Sequence, residues 1–362
     1  MNPLALHEFH TALHAAFLEI NGMEVVADYG DWKREHAAFH WSAGVVDLSF
    51  RSRICLTGSD RVRFLHGQVT NDIQQLQPGG GCYAAIVSAK GRMEGDCYTY
   101  HLPEELLLDF EPGLQESVTQ RLEKYIVSDD VQVVSVASLY GLLSVQGPRS
   151  EEVVNALGSF QSLPGAPFEF VAASDAVLGE MYLMNQPRLG TRGFDLFVPT
   201  ASLGVVADKL IAAARQVGGK PCGWQAVEAV RIEAGLPRYG ADMDDRNLPP
   251  ECGIERRALN YQKGCYIGQE VLNRIHTMGH VNRKLCGLRL PASLSSLPAK
   301  DDKLFFEEKE VGYVTTSVAS PDLGNIALGY VRTESAQPGI RLTLRIAGTE
   351  GAVEVAELPF RR

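Results

Sequence analysis

Apolar positions recur along this chain with two different periods. Leu6, Phe9, Leu13 and Phe17 share one face at helical spacing, which predicts a helix across residues 1–20. A strand is expected at 22–28. A helix follows from Asp31 to His40, with Asp31 as its N-cap. The short apolar run Gly44-Val45-Val46-Asp47-Leu48-Ser49 precedes a strand at Arg53–Thr57. That strand meets a glycine turn at Gly58 and a helix through Phe64-Leu65, capped by Ser59 or Asp60. Alternation at 82–88 and 92–100 predicts two strands joined by a hairpin turn at Ala89-Lys90-Gly91-Arg92. A strand at 106–110, a helix at 114–126 and a strand at 131–136 follow.

The segment Leu142–Ser150 then repeats the strand, glycine turn and helix start of Ile54–Asp60, with Pro148 placed where a first helical turn tolerates it. Strands near 177–184 and 193–198 lead to a helix at 201–216. A further helix at 223–235 ends at Gly235 and Pro237. Two strand–helix sets of similar logic predict an α+β pair rather than one doubly wound sheet. From Leu285 onward the pattern changes to short apolar runs, at 285–290, 310–316, 326–331 and 340–346, separated by turns. It predicts a small β-barrel, with a loop at 294–298.

Length and charge narrow the class. A chain of 362 residues exceeds one small core and predicts two or three domains. The net charge of −10 argues against general binding to a nucleic-acid backbone, which needs dense Lys and Arg. No run of about 18 apolar residues is present, so no membrane span is expected. The seven cysteines are odd in number and form no CxxC pair, which predicts a reducing, cytoplasmic setting without structural disulfides.

The densest chemistry lies in Lys263-Gly264-Cys265-Tyr266-Ile267-Gly268-Gln269-Glu270. Gly268 is a natural entry turn to a helix. Cys265 then precedes a helix N-terminus and follows Lys263, and both features favour a thiolate, the form that attacks electrophiles, binds metal or meets an oxidant. Cys265 and Lys263 are therefore the candidate reactive pair. The alternative for Cys265 is a buried small apolar residue. His276 and His280 sit at i and i+4, as zinc ligands do. With no adjacent Glu and with Gly279 between them they predict no metal site.

Several strings carry a resemblance. The Cys265 octapeptide resembles the signature of the YgfZ-type proteins, folate-binding relatives of the glycine-cleavage T-protein (aminomethyltransferase). Phe64-Leu65-His66-Gly67-Gln68-Val69-Thr70-Asn71-Asp72 and Arg231-Ile232-Glu233-Ala234-Gly235 resemble strings of the same superfamily. The resemblance implies an α+β, three-domain cloverleaf: two ferredoxin-like units, residues 1–52 with 138–245 and 53–137 with 246–283, and a C-terminal β-barrel at 284–362. They would surround an opening that holds tetrahydrofolate. It implies folate-binding roles for four residues. Asp96 follows the turn where T-proteins carry an Asp-Asp pair, and Gly95 stands at one of those two positions. Asp195 would take the N–H edge of the pterin, or else face the core side of its strand. Arg231 and Glu233 would grip the folate, or else form ion pairs within the fold. Thr191 replaces a second family acid. The implied function is a folate-dependent accessory role toward iron–sulfur client proteins, including tRNA-modifying radical enzymes. The alternative is one-carbon transfer of the T-protein type, against which Gly95 and Thr191 both weigh.

Overall fold

A computed structural model describes residues 1–294, 296–346 and 349–361. Residue 295, inside the loop expected at 294–298, lies outside the described residues. The chain divides between two compact units. The first holds residues 1–68, 72–84 and 97–227, and the second holds 69–71, 85–96 and 228–362.

The first unit begins differently from its hydrophobic pattern. The helix spans only His7–Ala12, and Ala16–Ile20 is a strand paired with Met23–Asp28. The reason is local. Asn21 and Gly22 sit at φ 49° and 82°, the two left-handed positions of a two-residue hairpin turn, and Asn-Gly is the pair that adopts them most readily. His14 at φ 62° has already broken the helix. The helix expected from Asp31 forms as Trp32–Trp41, and the Asp31 carboxylate accepts the Arg34 backbone N–H as its cap.

A six-stranded sheet orders Phe170–Asp175, Gly179–Asn185, Gly193–Pro199, Tyr140–Gln146, Gly44–Asp47 and Lys220–Pro221. Its pairs are antiparallel except the last, which is parallel. Phe170–Asp175 is a strand that the alternation of the sequence did not reveal. The helix Leu203–Gln216 lays Val206, Leu210 and Ala214 on Phe194, Leu196 and Val198 of the central strand. Strand alternation turns Asp195 and Phe197 to the opposite face. There Phe197 meets Tyr100 edge to face, which packs this sheet on a second one.

That second sheet orders Gly81–Val87, Met93–His101, Leu106–Phe110, Ser52–Thr57 and Gln132–Ser135. Its middle strand, Leu106–Phe110, is buried along its whole length. The first two strands continue along the chain into the second unit.

In the second unit six strands close a barrel in the order Arg283–Arg289, Gly324–Arg332, Lys309–Ser320, Lys303–Phe306, Arg341–Ile346 and Thr349–Ala356. Four of these were legible as apolar runs. Lys303–Phe306 and Thr349–Ala356 were not. Leu288, Leu304, Val314, Ala327, Leu344 and Val353 fill the interior. Ile232, near the end of the helix Trp224–Glu233, packs with Ile326, Leu328 and Phe360 on the barrel's outer wall. No helix among the described residues is long and apolar enough to cross a membrane.

Candidate functional site

The first unit buries a chain of opposite charges between its two sheets. Asp109 lies inside Leu106–Phe110, opposite Arg53 on one neighbouring strand and Tyr98 on the other. Its Oδ1 accepts Arg51 Nε at 2.8 Å and its Oδ2 accepts Arg188 Nη2. Arg51 also donates to Glu111. Arg188, on the loop after Asn185, donates through Nε to Asp195 Oδ2 at 2.6 Å. Its guanidinium lies over the Tyr98 ring, 4.9 Å from the centroid. Tyr98 in turn packs against Tyr83 and Phe168 at centroid distances of 5.1 and 6.0 Å. Phe168 holds φ 68°, a strained conformation for a bulky residue.

The two aspartates respond in opposite ways. Burial works to raise the pKa of Asp109, but Arg51 and Arg188 outweigh it and hold the carboxylate below its ordinary range. Burial raises Asp195, and the single guanidinium it shares with Asp109 does not cancel that cost. Arg188 itself is held charged, well above its ordinary value, since two carboxylates outweigh its own burial. Asp195 Oδ1 is buried with no hydrogen-bond partner, although the nearby Ser144 hydroxyl helps to lower its pKa. The Tyr100 hydroxyl is also buried and unpartnered, and burial, with Asp195 next, raises its pKa. Asp195 and Tyr100 thus leave two buried polar atoms unsatisfied in the layer between the two sheets.

Arg53 is a different case. It is fully buried, and its terminal nitrogens donate to the carbonyls of Arg51, Ser49, Ala137 and Tyr140. Burial pulls its pKa down to about 10. This guanidinium ties chain segments together.

The second unit holds the other candidates. The helix Gln269–Met278 starts after Gly268, as the sequence predicts. Gly268 has φ 83°, and a Cβ there would stand 2.5 Å from the Ser88 carbonyl oxygen, so only glycine lets the helix start lie against the 88–92 hairpin. Cys265 is exposed, and it is the one exposed thiol among the seven cysteines. Its alternative as a buried apolar residue is thereby removed. Lys263, however, is buried. Its ammonium donates to the carbonyls of Val69 and Asn71 at 2.7 and 2.8 Å and lies 4.8 Å from the Tyr266 ring centroid. It braces the loop that presents Cys265. Glu94 is exposed and Asp96 half-buried on the open side of the strand Met93–His101, while Met93, Gly95 and Cys97 turn inward.

Arg231 and Glu233 are both buried. Arg231 grips Glu228 with two parallel bonds of 2.7 Å and donates to Asp242 at 2.7 Å. Asp242 accepts in turn from Thr315 and Thr316 of the barrel. Glu233 accepts from Ser320 and faces Arg361. These contacts are those of the ion-pair alternative. His276 stacks on Tyr261 at 3.8 Å and pairs with Glu255.

Asp195 and Cys265 were singled out in the sequence, whereas Arg51, Tyr98, Asp109 and Arg188 were not. Asp109 did leave a signal, since a lone carboxylate inside Leu-Leu-Leu-Asp-Phe has to be neutralised once the strand is buried.

Comparison with known proteins decides the family. The GCVT N-terminal domain profile matches residues 6–262, and the glycine cleavage T-protein C-terminal barrel domain matches 283–361. The chain belongs to the glycine cleavage T-protein family. It is 28% identical over 357 residues to an aminomethyltransferase of Listeria monocytogenes serotype 4b, covering 98% of this chain and 96% of that one. It is 29% identical to an aminomethyltransferase of Geobacillus kaustophilus, covering 96% and 95%. The crystal structure of the glycine cleavage system aminomethyltransferase T from Bartonella henselae superposes with a TM-score of 0.88 at 23% identity, covering 99% of this chain and 98% of that one. The α+β class with a closed C-terminal barrel is thus the T-protein fold.

Proposed function

We propose that this T-protein family member binds tetrahydrofolate through Asp195 and acts in one-carbon transfer of the aminomethyltransferase type. The observation that carries the reading is the buried, unpartnered Oδ1 of Asp195. Tetrahydrofolate supplies the reduced pterin whose nitrogen carries the one-carbon unit. Asp195 accepts one N–H of that ring's edge through Oδ1, the oxygen that Arg188 leaves free. Arg188 holds Asp195 in orientation from its other oxygen and is itself seated on the Tyr98 ring. The names and near-complete coverage of the relatives support the transfer step.

The test is an anaerobic calorimetric titration with tetrahydrofolate, followed by turnover of an aminomethyl donor. Asp195→Asn should weaken tetrahydrofolate at least tenfold, because the amide presents a donor where the ring does. Unchanged affinity would remove Asp195 from the site.

The lone exposed thiol favours a second reading. The octapeptide around Cys265 resembles the YgfZ-type signature, and an accessible sulfur suits transient contact with iron or with a client protein. In this reading the protein supports iron–sulfur enzymes, including those that modify tRNA, and a full cluster takes further ligands from the client because one sulfur does not complete four-sulfur ligation. The two readings part at Cys265→Ala. Under the first, folate affinity and transfer survive. Under the second, folate affinity survives while client-enzyme activity falls.

A further inference from the structure

The geometry points to an anion-binding site on the barrel, for a compact ligand carrying two or more negative charges. A cavity of about 1110 Å³ lies in the second unit, and Arg246, Arg283, Lys303 and Arg332 line it against only two carboxylates, Glu310 and Glu334. This volume lies just above the roughly 300–1,000 Å³ of small-molecule sites in general. Asp244 and Asp301 pair with Arg246, Glu251 pairs with Arg283 and Glu310 pairs with Lys303 at 3.2 Å, which leaves Arg332 as the cation of this wall without a carboxylate among the described residues.

The register of the barrel builds this wall. Arg283 and Arg332 are directly opposite each other on paired strands. Like charges in that relation repel and destabilise a sheet. Arg332 is exposed and has no carboxylate partner among the described residues. An anion set between the two guanidinium groups converts the repulsion into a clamp. Lys303 is opposite Tyr313, and Tyr313 is opposite Tyr330, so the two rings form the floor. Arg246, Arg283 and Lys303 all lie within 5.7 Å of the Tyr313 centroid.

The guanidinium groups are also fixed in advance. Asp244 and Asp301 hold Arg246, and Glu251 and the Tyr313 hydroxyl hold Arg283. None of these three acids lines the cavity. Arg246 spends Nε and one hydrogen of each terminal nitrogen on its aspartates, which leaves one hydrogen on each terminal nitrogen for a ligand. Prepositioned forks of this kind suit phosphate or carboxylate oxygens. The ligand chemistry is that of pyrophosphate-bearing metabolites or of compact polycarboxylates.

The experiment is calorimetric titration of the full chain with inorganic pyrophosphate and, separately, with citrate, at low and at 0.3 M salt (an ionic strength above roughly 0.1 M screens beyond about 10 Å). Binding of at least one anion, weakened by salt, is expected. Tighter pyrophosphate assigns the site to phosphates, and tighter citrate assigns it to polycarboxylates. Arg332→Ala should weaken either anion at least tenfold, and Glu334→Gln should tighten it. Should Arg332→Ala fold poorly, Lys303→Met supplies the same comparison. No binding of either anion to the wild-type chain, or equal binding by the folded variants, overturns the proposal.

Discussion

Arg188 donates to Asp195 and Asp109 at once, yet the two carboxylates it joins are shifted in opposite directions. Asp109 has a second guanidinium in Arg51, and Asp195 has not. The charge on Asp195 is therefore under-compensated, which is the condition of a carboxylate waiting for donors. Its native pKa is raised, so the folded state binds the proton more tightly than the unfolded state does. The stability linked to Asp195 is full below its unfolded pKa and is lost as pH rises through its higher native pKa. Wild type and Asp195→Asn should thus differ in the pH dependence of urea unfolding. On acidification through that window the wild type should gain relative to the variant. Parallel curves would show that Asp195 carries no such strain.

Asp109 obeys the opposite sign. Its native pKa is depressed, so its contribution is present above the unfolded value and is lost as pH falls through the native one. Asp109→Ala should destabilise the protein by about 3–5 kcal/mol at neutral pH, because it removes the carboxylate that two buried guanidinium groups share and leaves Arg51 with Glu111 alone and Arg188 with Asp195 alone. Chemical denaturation checks this. A loss under about 1 kcal/mol would show that Glu111, Asp195 and water compensate the two guanidinium groups.

The relation of these sites to the sequence follows from how far each signal reaches along the chain. Elements with a local cause are legible: Asp31 capping its helix, Gly268 opening another, the barrel strands whose short apolar runs lie at 285–290 and 326–331. In the first twenty residues the helix holds only over His7–Ala12, because Leu6, Phe9, Leu13 and Phe17 fit a helical period while the Asn21-Gly22 turn that makes Ala16–Ile20 a strand acts just after that window. The ion-pair chain was hidden for a different reason. Asp109 and Arg188 are 79 residues apart and meet only because two sheets stack. Lys263 illustrates the same limit. Its neighbour in sequence is the Cys265 loop, but its ammonium is spent on carbonyls nearly two hundred residues upstream.

Thiol chemistry separates Cys265 from the other six cysteines. Those six are buried, and burial pushes Cys286 up to about 11 and Cys252 up to about 12, which suppresses their thiolates near neutrality. A maleimide reagent should therefore modify one thiol per native chain, and Cys265→Ser should abolish that modification. All six remaining thiols should react after unfolding. Native modification of a second cysteine would indicate opening of a core strand on the labelling timescale. The labelled protein also offers a direct reading of function, since retained tetrahydrofolate binding after modification places the sulfur outside the folate site.

Gly268 carries the conformational demand of the Cys265 loop. Its φ of 83° lies where a side chain is strained, and an added methyl group would press on the Ser88 carbonyl and on Val87 Cγ2 at 2.5 and 2.9 Å. Both obstacles are parts of the hairpin against which the helix starts, so relief requires the helix and hairpin to separate. Gly268→Ala should cost about 1–3 kcal/mol from backbone strain, with the clash adding to it. The readouts are the unfolding midpoint and the rate of Cys265 labelling. Separation of helix and hairpin changes the setting of Cys265, so that rate should change even where the fold survives. A variant with wild-type stability and wild-type labelling would mean that the loop reaches its conformation without the left-handed residue, and that Lys263 alone braces it.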